Sequence, residues 1–196
     1  MRPLEVDGLK VLRPASTPPG QHDDADALEI RPVRSDDKPD LVDGFAQLGD
    51  ESRYQRFMSA RDLLSDAELR YFTEVDHHDH EALIAIDPRT GRGVGVARFI
   101  RSPVEPRIAE LAVTVVDEWQ GRRVGTRLAS ELAGRAREEG ITVLTALVLA
   151  ENGAMLALAR ALGAVQVSRQ EGGAVEIAIE LSDQGAAAVT PPARGA

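Results

Sequence analysis

Hydrophobic positions recur with two different periods along this chain, and the two periods predict a mixture of helices and strands. Apolar residues spaced three or four apart are typical of amphipathic helices, whereas alternating or continuous apolar runs are typical of strands. The predicted strands are 28–33, 81–87, 93–101, 108–116, 142–149, 165–167 and 175–181, and the predicted helices are 36–49, one that begins at 65, 124–139 and 152–162.

Local signals mark several of these boundaries. Ser65 and Glu68 form a capping box, and Leu64 and Leu69 are placed for the hydrophobic staple that often accompanies it. The run 142–149 is almost continuously apolar, which is typical of a strand buried on both faces. The glycine pair at 172–173 predicts a turn between the last two strands.

The order of the elements predicts the fold class. Antiparallel strands come first and a β-α-β unit follows, so we expect an α/β fold with a mixed, mostly antiparallel sheet flanked by helices. One folded domain is predicted over 28–181. The segments 1–27 and 182–196 are predicted to be disordered, because neither can bury enough apolar surface to offset the entropy of ordering.

Composition removes several classes of function. The formal net charge of −9 argues against nucleic acid as a general partner, because phosphate contacts need a basic face. The chain has no cysteine, so disulfides, thiolate catalysis and zinc–cysteine sites are excluded. No apolar run approaches membrane length and no hydrophobic signal core is present at the N-terminus, so a cytoplasmic location is expected.

A glycine-bearing turn, Trp-Gln-Gly-Arg-Arg-Val-Gly-Thr at 119–126, carries the clearest chemical signal. It precedes a predicted helix, whose first N–H groups and dipole favour an anion, and Arg122 and Arg123 add two cations. No Gly-Lys-Ser/Thr follows, so the turn is not a Walker A loop, and it lacks the glycine spacing of a dinucleotide fingerprint. We call residues 119–126 the cradle and expect a pyrophosphate there.

The cradle resembles the Gln/Arg-x-x-Gly-x-Gly/Ala signature of the GNAT acetyltransferases, and the predicted order of elements is that of the GNAT fold. Arg123 stands where the family usually has glycine, which is tolerable if this residue keeps helical φ/ψ angles. The resemblance implies acetyl-CoA as co-substrate and no metal. Its pyrophosphate would be held by Gln120, Gly121, Arg122, Arg123, Val124, Gly125 and Thr126.

The resemblance also implies contacts to the pantetheine arm. In the family, the strand before the cradle splays from its neighbour, and its free backbone groups, at the positions of Val113, Thr114 and Val115, pair with pantetheine. One such N–H would polarise the thioester carbonyl. Ordinary pairing within the sheet is the alternative for these residues.

Asn152 suits a helix N-cap and matches a family asparagine that contacts the CoA arm. The family often has a tyrosine seven residues later as general acid for the thiolate. Ala159 occupies that position here, so no general acid is assigned.

Glu110 is a carboxylate in an otherwise mostly apolar strand. Acetylation of an amine needs a base, because an ammonium ion has no lone pair, and an apolar site raises the proton affinity of a carboxylate. Several GNAT enzymes that acetylate lysine side chains carry a glutamate at the matching place. Glu110 is therefore the predicted general base, and a salt bridge to Arg101 is the alternative.

The run 51–57 borders the acceptor site in the GNAT fold. With Trp119-Gln120-Gly121 and Asn152-x-x-Met155-Leu156, it resembles the catalytic domain of bacterial protein-lysine acetyltransferases. Packing of Tyr54 and Phe57 in the core is the alternative for this run. The resemblance implies acetyl transfer to a primary amine, with a protein lysine as the expected acceptor. A small-molecule amine acetyltransferase and a noncatalytic acyl-CoA-binding regulatory module remain as alternatives.

Two further patterns have simpler explanations. The run Asp76-His77-His78-Asp79-His80 contains metal-ligand types, but it lies at a helix-to-strand junction where polar residues are expected. The glycines at 91, 93 and 95 resemble a phosphate loop, but a strand follows them instead of a helix, so a hairpin turn accounts for them.

Overall fold

The computed structural model describes residues 27–57, 63–169 and 173–181. Within these ranges it has strands and helices in the order β-α-α-α-β-β-β-α-β-α-β-β. They are β1 Glu29–Pro32, α1 Lys38–Ala46, α2 Asp50–Phe57, α3 Asp66–Thr73, β2 His80–Asp87, β3 Arg92–Arg101, β4 Ile108–Val115, α4 Val124–Glu138, β5 Val143–Leu149, α5 Gly153–Leu162, β6 Ala164–Arg169 and β7 Ala174–Glu180.

The strands form one sheet in the order β1-β2-β3-β4-β5-β7-β6. Only β4 and β5 are parallel among the described neighbours, and α4 is the crossover that joins them. The α/β class and the mixed, mostly antiparallel sheet are thereby confirmed. The segments predicted to be disordered lie outside the described residues, apart from Ala27, and so does Gly172 of the predicted turn.

Helices cover both faces of the sheet. On one face, α4 and α5 bury a large apolar cluster that includes Leu128, Leu132 and Leu158. On the other face, α1 and α3 cover a smaller cluster that includes Leu41 and Leu69. No described helix has both the length and the apolar composition that crossing a membrane requires.

The predicted helix 36–49 is wrong at its C-terminal end, because the chain forms two helices here. The first, α1, ends at Ala46. A second helix, α2, occupies the run 51–57, which lies between the predicted helix 36–49 and the helix predicted to begin at 65. The carboxylate of Asp117 accepts a hydrogen bond from the Gly49 N–H (3.0 Å) and another from Ser52 Oγ (2.7 Å). The Asp117 carboxylate, which is distant in sequence, therefore accepts the hydrogen bonds of donors at the start of α2. No residue within the run 51–57 predicts this contact.

The capping box at Ser65 is confirmed: Ser65 Oγ accepts from the Glu68 N–H (3.3 Å) and the Glu68 carboxylate accepts from the Ser65 N–H (2.9 Å). Leu64 and Leu69 belong to the same apolar cluster. Local sequence signals therefore placed this helix start correctly.

The prediction that 142–149 is buried on both faces is wrong. Residues of β5 alternate in burial, and the Leu147 side chain is 52% exposed. The strand that is buried on both faces is β2, which lies between helices on either side of the sheet. One face of β5 opens instead into a groove, so its apolar residues are available to a ligand.

Candidate active site

The sheet divides where β4 and β5 separate. The described pairing between these parallel strands stops at Glu110, although β4 continues for five more residues beside β3. A wedge-shaped gap therefore opens between the second half of β4 and β5. The paired residues are Ile108 with Val143, Ala109 with Leu144 and Glu110 with Thr145.

Backbone groups of β4 face this gap in an alternating pattern. The Val116 N–H donates to the Val94 carbonyl just beyond the end of β4 (3.0 Å), so Thr114 also directs its backbone groups to β3. Val113 and Val115 therefore direct theirs into the gap. The expectation of backbone groups free to pair with a ligand fits Val113 and the N–H of Val115, whose carbonyl already accepts from Gln120, and does not fit Thr114.

The cradle lies at the wide end of the gap and leads into α4. Gly121 and Arg123 both have left-handed backbone conformations, with φ of 72° and 65°. The side chain of Arg123, the N-cap residue of α4, makes no capping hydrogen bond, so it does not occupy the leading N–H groups of the helix, and such groups favour an anion. Arg123 has left-handed instead of right-handed helical angles. Glycine adopts this conformation most easily, which explains why the family favours glycine at this position.

The Gln120 side chain faces the protein. Its amide donates to the carbonyl of Val115 (3.1 Å), to Ser52 Oγ (3.2 Å) and to the Asp117 carboxylate (3.1 Å). These bonds tie the cradle to β4 and to α2. Gln120 therefore positions the cradle through its side chain. Ser52 of this network belongs to the run 51–57, whereas Asp117 is a member that the sequence did not single out.

The gap and the cradle are parts of one groove of about 620 Å³, which we call the central groove. Arg122 is the one predicted site residue that does not line it, and its guanidinium lies 5.3 Å from the ring centre of Trp119. The predicted residues that line the central groove are Glu110, Val113, Thr114, Val115, Gln120, Gly121, Arg123, Val124, Gly125, Thr126 and Asn152.

Glu110 lies where the pairing of β4 and β5 ends, and it opens into the central groove. Its side chain is exposed, so the expectation of an enclosing apolar site is wrong. The alternative partner, Arg101, bonds instead to Asp79 (2.6 Å) and to the carbonyl of Glu139 (3.1 Å). No described residue pairs with the Glu110 carboxylate, which leaves it available to a ligand in the groove.

Comparison with known proteins accounts for this arrangement. Residues 27–165 match the family model of the acetyltransferase (GNAT) domain, which is more than half of the chain. This chain belongs to the GNAT acetyltransferase family.

Two relatives and one more distant structure illustrate the likeness. Acetyltransferase Pat of Mycolicibacterium smegmatis is 35% identical over 143 residues, which are 73% of this chain but only 43% of that protein. The GNAT domain of S. lividans PAT is 31% identical, with a TM-score of 0.72 over 79% of this chain and 90% of that one. The putative acetyltransferase yncA of Salmonella typhimurium, solved with its cofactor acetyl-CoA, shares the fold, with a TM-score of 0.66 at 20% identity over 83% of this chain and 99% of its own.

The helix that follows β5 departs from the common GNAT pattern. Asn152 caps α5 by accepting a hydrogen bond from the Met155 N–H (2.9 Å), which confirms its predicted structural role. Ala159, at the position of the usual GNAT tyrosine, is fully buried and does not line the central groove. The methyl side chain of Ala159 carries no acidic proton, so it cannot protonate a leaving thiolate.

The helix α2 forms a wall of the central groove beside the cradle. Ser52, Gln55, Arg56 and Phe57 line the groove. Phe57 packs edge-on against Phe45 with ring centres 5.7 Å apart, whereas the Tyr54 side chain is 49% exposed. Packing in the core is therefore wrong for Tyr54, and Phe57 is only half-buried: it packs against Phe45 but also lines the groove.

Both of the simpler explanations are confirmed. The Asp76 carboxylate accepts from the N–H groups of His78 (2.9 Å) and His80 (2.8 Å), and the His77 ring contacts Glu81 (2.8 Å), so these residues build the junction itself. The glycine run begins at a turn in which Gly91 has φ of 69°, followed by β3.

Proposed function

We propose that this chain transfers the acetyl group of acetyl-CoA to a primary amine, with a protein lysine side chain as acceptor and Glu110 as general base. The observation that carries the proposal is a single groove that joins the N-terminus of α4, backbone groups of β4 beyond its pairing with β5, and the Glu110 carboxylate, which no described residue pairs. The acetyl-CoA held by the related Salmonella fold supports the choice of donor.

Each part of the central groove would bind one part of the donor. The N–H groups of Val124, Gly125 and Thr126 open α4 and suit the pyrophosphate. The backbone groups of Val113 and the N–H of Val115 suit the amides of the pantetheine arm, and an N–H aimed into the gap can stabilise negative charge on the thioester oxygen. A Cβ placed at Gly125 would lie within 3.6 Å of Val113, Val115 and Leu158, so the start of α4 passes close to β4 and α5.

Glu110 would prepare the acceptor for direct attack. An ammonium group loses a proton to the Glu110 carboxylate, directly or through water, and the freed lone pair forms the new bond to the acetyl carbon. The carbon–sulfur bond breaks, and the second amine proton neutralises the departing thiolate through solvent. Because a thiol has a pKa near ~8.5, this leaving group needs no dedicated protein acid. Holding both substrates in one groove supplies much of the rate.

The lysine acceptor is supported by the resemblance of α2, the cradle and α5 to protein-lysine acetyltransferases. The exposed carboxylate of Glu110 in the central groove also suits a cationic amine. This charge suits a small-molecule amine equally well, so acceptor panels must contain both kinds.

The first experiment compares donor binding with turnover in Glu110→Gln. Trp119 is the only tryptophan of the chain and it lines the central groove, so its fluorescence reports donor binding directly. We expect kcat for a lysine peptide to fall roughly 100-fold, within the range for loss of a general base, with the Kd for acetyl-CoA nearly unchanged. Glu118→Gln, an exposed glutamate outside the groove, is the matched control.

The outcomes separate the alternatives. Tight acetyl-CoA binding without acceptor-dependent release of the CoA thiol would favour a noncatalytic acyl-CoA-binding module. Full activity of the Glu110 variant at every pH would show that another group, or solvent, accepts the proton.

A further inference from the structure

Arg98 is a buried cation that the proposed mechanism does not use. It lies on β3 with only 5% of its surface exposed. Its Nη1 donates to the carbonyl of Phe72 (3.3 Å) and lies 3.1 Å from Nε2 of His80, and its guanidinium lies 4.4 Å from the ring centre of Phe72. No carboxylate pairs with Arg98 in the part of the chain that the structure describes, and its Nε and Nη2 make no hydrogen bond there.

The charge of Arg98 is held at an energetic cost. Burial, together with the neighbouring positive charge of Arg56, lowers its pKa to about 9. A buried ion is normally paired, because desolvation is expensive unless an opposite charge compensates it. An anion brought to Arg98 would supply this compensation, so the site favours anionic groups over neutral ones.

Arg98 lines a cavity of about 80 Å³ beside the central groove, which we call the arginine cavity. The two share Leu48, Arg56, Phe57, Ala112 and Thr114, so they adjoin. Asp40 also lines the arginine cavity, but its carboxylate accepts from the Gly93 N–H (3.0 Å) and makes no ion pair with Arg98. The space is suited to a group of carboxylate size, not to a whole ligand.

The arginine cavity is placed to act together with Glu110. Arg98 is opposite Ala112 in the β3–β4 register, so its side chain is on the face of the sheet that Glu110 and Thr114 share. Glu110 is the diagonal neighbour of Arg98, and such pairs have Cβ atoms roughly 7–8 Å apart. One small substrate segment can therefore reach both an acidic group and a basic group.

We propose that the arginine cavity binds a carboxylate carried by the acceptor, so that the preferred substrate has a carboxylate near the amine that is acetylated. The inference rests on the proposed acetyl transfer and adds an acceptor class to it. The carboxylate has two possible sources: the α-carboxylate of a free amino acid, or an acidic side chain beside a lysine in a protein.

The test compares acceptors that differ only in the carboxylate. L-lysine and cadaverine share the same aliphatic amine, and two lysine peptides differ in a neighbouring glutamate or glutamine. In at least one pair, we expect kcat/KM to be at least roughly tenfold higher for the acceptor that carries the carboxylate. The difference should lie in KM, because the neutral acceptor cannot make the charge-assisted bond to Arg98. A preference confined to the first pair identifies a small-molecule acceptor, and one confined to the second identifies a protein.

Three variants assign the preference to Arg98. Arg98→Met removes the charge and should abolish the preference, and Arg98→Lys keeps the charge and should retain part of it. Arg92→Met, an exposed arginine on the same strand, is the matched control and should leave the preference intact. Equal use of both members of both pairs by the unaltered protein would overturn the inference, even if Arg98→Met does not fold.

A binding measurement keeps this inference separate from the proposed function. In the presence of CoA, L-lysine or the glutamate peptide should raise the unfolding temperature more than its neutral partner, and Arg98→Met should lose the difference. Transfer without any carboxylate preference would refute the inference alone. Absence of transfer to every acceptor would refute the proposed function, and the thermal shifts would still decide whether Arg98 binds a carboxylate.

Discussion

At the scale of single residues, the site depends on conformations and contacts that composition does not reveal. The sequence correctly identified Arg123 as a departure from the GNAT signature, but not the left-handed angles that it adopts. Gln120 was identified by the same signature, yet its side-chain amide bonds to the protein. Signature residues therefore include groups that shape the cradle as well as groups placed to bind.

Replacement of Arg123 should reveal the cost of its backbone. Arg123→Ala and Arg123→Gly lose the same guanidinium contacts, but only alanine keeps a Cβ in the left-handed region. We expect the glycine variant to be more stable than the alanine variant by roughly 1 kcal/mol in denaturant unfolding. At Arg122, where φ is not positive, glycine should be the less stable replacement. The same order at both positions would argue against strain at Arg123.

His80 connects acid stability to the buried arginine. Burial and the charge of Arg98 lower the pKa of His80 to about 4, although Asp76 and Glu81 favour the protonated ring. The ring packs against Tyr71, with ring centres 5.0 Å apart. The folded protein thus holds His80 neutral at pH values where the unfolded chain would protonate it.

The sign of the resulting pH dependence follows from linkage. The unfolded chain binds a proton at His80 near pH 6.5, and the folded protein binds it only near pH 4, so the stability due to neutral His80 is complete above pH 6.5 and is lost as the pH falls towards 4. We expect the unfolding temperature to drop across this window, and to drop less in His80→Gln. The exposed His78, changed to Gln, is the control; equal slopes in all three proteins would contradict the assignment.

At the scale of elements, the ends of helices and strands decide where the site lies. The β4–β5 pairing stops at Glu110, and β4 continues alone beside β3 into the cradle. At the other side of the sheet, α5 ends at Leu162, and after Gly163 the chain enters β6 against the last residue of β7. Gly163 directly follows this helix, and its φ of 173° is open to any residue.

The close approach of β7, not backbone conformation, requires glycine at 163. A Cβ there would collide with the carbonyl oxygen of Glu180, a backbone atom that cannot rotate away. We expect Gly163→Ala to lower the free energy of unfolding by several kcal/mol, at or beyond the ~1–3 kcal/mol typical of overpacking. Gly134→Ala, inside α4 with open space around it, should be neutral or stabilising. Similar effects of the two changes in denaturant titrations would contradict this explanation.

At the scale of the whole molecule, the central groove is assembled from segments far apart in sequence. The helix α2, the strand β4, the cradle and α5 each supply one wall. A donor bound there would bridge the two halves of the sheet where their own pairing stops. Binding should therefore stabilise the whole fold.

Acetyl-CoA at 100 times its Kd should add ~2.7 kcal/mol to the free energy of unfolding. For a chain of 196 residues this raises the unfolding temperature by roughly 5–10 °C. Acetylpantetheine, which lacks the pyrophosphate, should give a much smaller shift at the same concentration. Equal shifts from both ligands would show that the cradle does not bind the pyrophosphate.

The sequence alone determined the features that arise from contacts between near neighbours in the chain. Periodicity predicted nearly every strand and helix, the capping box placed the helix at Ser65, and the cradle motif together with the order of elements indicated the GNAT family. These signals are local, because they come from dihedral preferences and from residues a few positions apart.

Tertiary structure decided what depends on residues distant in the chain. It started α2 through Asp117, opened one face of β5, left Glu110 exposed and buried Arg98 without a carboxylate partner among the described residues. Burial and charge pairing depend on which segments cover a residue. That covering is set by the whole sheet and its helices, so no local pattern can specify it.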